Sequence, residues 1–122
     1  MHDFEIISAY SRRQAIEDGV LVDVSSVAKE AGFIIPVAVT AAVWADVNDI
    51  PKRFQGIQDI QGRLWDLLSM LRFAIRNNRD RSVINYAFTM HVGQGSLYTA
   101  KAVCSPGDNA EPVITIMQPH ED

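Results

Sequence analysis

A single cysteine, Cys104, stands in 122 residues, so no internal disulfide can form and nothing argues for an oxidising compartment. The three histidines, His2, His91 and His120, are scattered, and no H-x-x-x-H, C-x-x-C or H-E-x-x-H spacing occurs. A structural zinc site therefore has no sequence basis, and no cofactor is implied. No G-x-S-x-G is present, and the glycines of "GQGS" (93–96) lead from one extended run into another rather than into a helix, so they lack a phosphate-binding dipole. Long apolar runs are missing too. The richest stretch, "LWDLLSMLRFAI", is broken by Asp66 and Arg72 and is too short to span a bilayer. The start, "MHDFEIISAYSRRQ", has neither a basic n-region nor an apolar h-region, so no signal peptide is expected and the expected location is the cytoplasm.

What is there is an ordinary globular balance, 48% hydrophobic and 21% charged, which suits one domain of this length with its own core. The net charge of −4 argues against general or sequence-specific nucleic-acid binding. That charge is unevenly spread. Residues 1–50 carry −5, residues 51–81 carry +4 and residues 82–122 carry −3. Such segregation either steers a charged partner or amounts to ordinary solvated faces.

The pattern reads as helices first and strands afterwards. Ser11 and Gln14 form a capping-box pair that starts a short helix, "SRRQAIEDG", ended by Gly19. "VLVDV" (20–24) alternates as a short extended segment. Ser25 and Ser26 are placed to cap a second short helix ending at Gly32, and Pro36 suits the first turn of a third, "PVAVTAAVWADV". From Asp59 to Asn78 runs the strongest helix, with Ile60, Leu64, Leu67, Leu68, Leu71, Ala74 and Ile75 at helical spacing. Trp65, Met70 and Phe73 widen its apolar stripe, which the three short helices are expected to cover; both Trp44 and Trp65 are assigned to the core. Tyr10 and Phe4, ahead of the first helix, serve either as exposed anchors for a partner or as pins for the N-terminal arm (1–10).

After "NNRDR" the period becomes two. Ile84, Tyr86, Phe88, Met90 and Val92 share one face of a strand, and Asn85, Thr89 and His91 share the other. "LYTAKAVC" returns after a hairpin turn, and "VITIM" makes a third strand. The expected architecture is α+β: short N-terminal helices and one long central helix packed on a C-terminal three-stranded antiparallel meander.

Candidate chemistry is sparse. Alternation puts Cys104 with Tyr98, Ala100 and Ala102, the place of a small buried hydrophobe rather than a nucleophile. "SPGDN" reads as a turn with Pro106 at its second position and Gly107 taking the positive φ of type II. Residues 119–122 are expected to fray. The face bearing His91 and Lys101 is either a polar binding surface or the wet side of a sheet, and a closed pocket joining the two to a carboxylate would mark a ligand-binding or catalytic domain. No catalytic residue is assigned. The residues singled out for partner binding are charged: Arg72, Arg76, Arg79 and Arg81 around the basic run "RNNRDR", and Asp46, Asp49, Asp108 and Glu111 on the acidic side. The arginines can hold phosphates or carboxylates by bidentate bonds, or simply face solvent.

The segments "YSRRQAIEDGVLVDVS", "AGFIIPVAVTAAVW", "GRLWDLLSMLRFAIR" and "KAVCSPGDNAEPVITIM" resemble, in that order, a family of small uncharacterised proteins of plasmids, phages and integrated mobile elements. The resemblance spans residues 10–118, with "GRLWD" and "GDNAEPVITIM" carrying most of it. Relatives have a longer, more acidic loop where this chain has "NDIPKRFQGIQDIQ". The resemblance supplies no catalytic residues. It implies a genetic context in which small accessory proteins inhibit host defence by binding a host protein or ribonucleoprotein complex, as anti-CRISPR or antirestriction factors do. A structural subunit of the mobile element, a homodimer formed through the open sheet edge or the mixed face, is the other reading.

Overall fold

The expected third helix is two elements. In "PVAVTAAVWADV", Val37–Thr40 is a strand (β2) and Ala41–Asn48 a helix (α3). Thr40 ends the one and caps the other: its backbone is extended and its hydroxyl oxygen accepts from the Val43 amide at 3.3 Å. Val37, Ala38 and Val39 are buried on both faces, which erases the alternation that marks a half-buried strand.

The computed structural model describes residues 10–122. His2, Phe4 and the arm through residue 9 lie outside the described residues. Around β2 the elements run α1 (Arg12–Glu17), β1 (Leu21–Asp23), α2 (Ser25–Glu30), β2, α3, a 3₁₀ turn (Lys52–Phe54), α4 (Ile60–Arg76), β3 (Val83–Val92), β4 (Gly95–Pro106) and β5 (Pro112–Met117). The sheet has five strands in the order β1-β2-β5-β4-β3. β1 pairs antiparallel with β2, whereas β2 runs parallel to β5, with Val37 opposite Ile114 and Val39 opposite Ile116. The α+β class holds, but the three-stranded antiparallel meander is corrected to a five-stranded mixed sheet. β5, the last strand in the chain, lies at its centre. The picture of one long central helix is corrected with it, because α3 and α4, of 8 and 17 residues, share the covering layer.

Local capping follows the sequence in part. The Ser11 hydroxyl oxygen accepts from the Gln14 amide at 2.9 Å, but the Gln14 side chain turns to Asp18 instead of back to Ser11. Ser25 does not cap α2. Its hydroxyl donates to Asp23 Oδ1 at 2.6 Å and accepts from the Val37 amide at 3.1 Å, tying β1 to the start of β2. Asp59 caps α4 through the Gly62 amide at 2.7 Å.

Leu64, Leu67, Leu68 and Leu71 of α4 and Val43 and Val47 of α3 pack on the inner sheet face, against Val39, Ile84, Tyr86, Phe88, Ala100 and Ile116. On the opposite face, α1 packs beside β1 with Ala15 buried and lays the Arg12 side chain over β5. The second side of α4 is not covered as expected: Trp65, Met70 and Phe73 are 42%, 37% and 59% exposed. Trp65 is thus no core residue, while Trp44 packs half-buried against the core. No helix among the described residues is long and apolar enough to cross a membrane.

Candidate functional site

The turn before β5 differs from its expected form. Positive φ falls on Ala110 (66°) and not on Gly107, and the Ala110 amide donates to the Gly107 carbonyl at 3.0 Å. This conformation presents Asp108 to the start of α1. Its two carboxylate oxygens accept from the amides of Arg12 (2.8 Å) and Arg13 (3.1 Å), and these bonds hold the Asp108 carboxyl below the usual aspartate range. The Arg12 guanidinium completes the clasp by donating to Thr115 Oγ1 and the Ile114 carbonyl, both at 2.7 Å. Glu111 is used locally, accepting from the Asn109 amide at 2.9 Å. Asp108 and Glu111 therefore serve the turn and the clasp.

Asp46 is equally committed. Its Oδ2 accepts from the Tyr98 hydroxyl at 2.7 Å and from Gln118 Nε2 at 2.8 Å. Burial, with the Asp46 carboxylate beside it, drives the Tyr98 hydroxyl pKa well above the ordinary tyrosine value. The last residues dock here rather than fray: Glu121 Oε2 accepts from Thr40 Oγ1 at 2.8 Å and from the Gln118 amide at 2.6 Å, and Lys101 Nζ donates to the Glu121 carbonyl. Asp49 stays exposed at the end of α3.

One of the bases within the +4 of residues 51–81 is the only charged side chain in the core among the described residues. Arg63 is 3% exposed. Its guanidinium donates to the carbonyls of Val47, Asp46 and His91, each at 2.9 Å, and to Gln58 Oε1 at 3.2 Å. It joins the end of α3 to the end of β3. The signal that could have found it is positional: Arg63, Leu67 and Leu71 follow at i, i+4 and i+8 on the buried stripe.

His91 and Lys101 do not meet. Lys101 lies opposite Asn85, and His91 is six residues further along β3, about 20 Å away at the rise of a strand. The register also shifts between Thr89 and Val92, and the His91 ring packs on Phe54 with centroids 4.4 Å apart. The sheet face holds no pocket combining them with a carboxylate among the described residues. Nor does any group of three His, Cys, Asp or Glu side chains there lie close enough to hold a metal.

The arginines gather at the opposite end of the sheet. Arg72 donates to the Ala31 carbonyl at 3.3 Å and lies over Gly32, where an added Cβ would come within 2.5 Å of its guanidinium. Arg76, Arg79 and Arg81 are exposed. Here α4 ends before the inner sheet face does, and a cavity of about 180 Å³ opens. Ile35, Leu71, Ile75, Ile84 and Ile114 form its walls, with Asn78, Arg79, Arg81 and Ser82 alongside. Cys104 keeps its inward register but is exposed at this opening, because no helix reaches it. Ile34, beside Ile35, is 98% exposed. The result is an apolar hollow bordered by guanidinium groups.

Residues 1–122 match the family of unknown function DUF6573. The chain belongs to this family. No curated protein and no solved structure matches it. For this DUF6573 chain the arginine-bordered hollow combines an apolar opening with arginines that are exposed and, among the described residues, unpaired, whereas the acidic candidates Asp46, Asp108 and Glu111 are engaged inside the fold.

Proposed function

We propose that this protein is a non-enzymatic binding protein of a mobile element, one that inhibits a host defence complex by occupying a surface of it. The observation that carries the reading is the arginine end. Arg79 and Arg81 border an apolar hollow, and an almost wholly exposed Ile34 precedes Ile35 of its wall. Guanidinium groups around an apolar recess favour a partner surface that offers carboxylates or phosphates about an apolar anchor. Arginine and large apolar side chains are enriched at interface centres. The resemblance to mobile-element accessory proteins supplies the defence context.

Capture from a host lysate, followed by mass spectrometry, tests the reading when run beside the R79E/R81E double variant. A defence protein or ribonucleoprotein held by the wild type and released by R79E/R81E supports it. Equal retention by both, or no defence component with either, overturns it. Protection of an invading phage in cells carrying that defence system should fall with the same variant.

A further inference from the structure

From Val83 to Thr89 the β3 edge of the sheet lacks the charge, proline or shortness that blunts an edge; its protection is confined to the far end, where the register shifts between Thr89 and Val92 and Phe54 and Arg63 cover His91. Among the described residues β3 has one neighbouring strand, β4, and along Val83–Thr89 no backbone group of its other side is bonded within the fold, whereas the His91 carbonyl beyond it accepts from Arg63. Edge strands are normally blunted by charge, proline or shortness. β3 runs ten residues, and from Ser82 to Ala100 the chain has no Asp, Glu, Lys, Arg or Pro. Val83–Thr89 pairs with β4 without a break, giving about 23 Å of regular edge at the rise of a strand. Val83 and Leu97 add exposed apolar surface on the outer face.

The flank of α4 that runs beside this edge is also open. Asp66, Met70 and Phe73 follow at i, i+4 and i+7, so they lie on one side of the helix. Asp66 shares a groove with Thr89 and Met90 of β3, which fixes that side as the one facing the edge. Met70 and Phe73 project there, 37% and 59% exposed.

We infer that β3 pairs with β3 of a second copy of the chain, antiparallel about a two-fold axis near Tyr86, so that two five-stranded sheets become one of ten strands. The charge distribution selects this occupant. α4 and β3 run in opposite directions, so on the open flank of α4 Asp59 and Asp66 lie with Thr89 and Met90 at one end of the edge, where Arg63 is buried and Arg53 stacks on Phe54, and Arg79 and Arg81, with Asp80 between them, lie with Ser82 and Ile84 at the other. Antiparallel self-pairing sets the arginine end of each copy beside the aspartate end of its partner, twice. Parallel pairing would set like beside like. Met70 and Phe73, midway along, meet their symmetry mates near the axis and cover one another. Partial burial already pushes the Asp66 carboxyl up, and a guanidinium brought alongside it stabilises the charged form.

The inference does not rest on the proposed function, because it is read on the pure protein. Light scattering or sedimentation should give twice the mass of one chain. Met70→Glu places two carboxylates near the axis and Thr89→Lys places charge on the edge. Each should weaken association on the order of tenfold or more, with an unchanged far-ultraviolet spectrum. D66R alone and R79D/R81D alone should be monomeric, whereas a mixture of the two should form a heterodimer. A wild type that stays monomeric at millimolar concentration overturns the inference. So does a dimer that survives both M70E and T89K, or a mixture that does not associate. Met70→Glu also separates this inference from the partner reading, since it leaves the arginine end intact: a monomeric M70E that still captures the defence component keeps both.

Discussion

The two ends of the sheet use the same residue types in opposite ways. At the end where α3 closes and α4 begins, charge is consumed by the fold. Arg63 spends its donors on three backbone carbonyls, Asp46 takes Tyr98 and Gln118, and Glu121 takes Thr40. At the end where α4 stops and β3 begins, Arg79 and Arg81 face solvent beside an apolar hollow. Whether a charge is structural or free depends on whether chain ends and loops close over it. At the first end the C-terminal residues and the 50s loop do so. At the second, the helix runs out before the sheet.

The sharpest way to break this contrast is to remove an arginine from each end. Arg63→Ala leaves buried carbonyls of Val47, Asp46 and His91 without their donor, and thermal or urea unfolding should show a loss of about 3–5 kcal/mol. Arg63→Lys keeps the charge but offers three donors in place of five, so it should recover only part of that loss.

Tyr98→Phe removes one bond to Asp46 and should cost about 1–2 kcal/mol by the same measurement. It also changes the alkaline limb. The Tyr98 hydroxyl is held neutral in the fold while the unfolded chain ionises near the ordinary tyrosine value. The contribution is therefore complete below about pH 10 and declines as pH rises further. The phenylalanine variant should lose less stability across that range than the wild type.

Asp108→Asn sharpens the comparison at the α1 clasp. The folded carboxyl titrates below the ordinary value, so its contribution is present above pH 3.8 and is lost as pH falls through the depressed value. The asparagine variant should show a flatter acid limb in an unfolding series by circular dichroism. The smallest effect belongs to the arginine end: Arg79→Ala with Arg81→Ala should change the stability of the single chain by no more than about 0.5 kcal/mol, measured in urea at a concentration where the protein is monomeric.

The parts of the fold legible in the sequence are those with a local signature. The alternation of Ile84, Tyr86, Phe88 and Met90 marked β3, and the leucine stripe of α4 marked its buried side, because both periods are read within one element. β2 escaped because a four-residue apolar run buried on both faces carries no period. Its parallel partner β5 begins some seventy residues later, and nothing local announces that pairing. The same holds for Asp108: the turn was visible, but its bond to the Arg12 amide crosses 96 residues. Of the candidate site, the basic run at residues 76–81 was legible as composition. The hollow beside it was not, since its walls come from Ile35, Leu71, Ile84 and Ile114 on separate elements. Arg63 is absent from the apolar stripe because that stripe is read from hydrophobic residues alone, and nothing local announces the carbonyls that receive its donors.

The central claim is that the arginine end binds a defence component, whereas Arg63, Asp46 and Glu121 at the opposite end hold the fold. The most direct measurement is quantitative capture from host lysate with wild type, R79E/R81E and Asp49→Lys, the last changing an exposed acid at the structural end. The account predicts that wild type and Asp49→Lys retain the same defence component and that R79E/R81E releases it. Loss with Asp49→Lys and retention with R79E/R81E would contradict it.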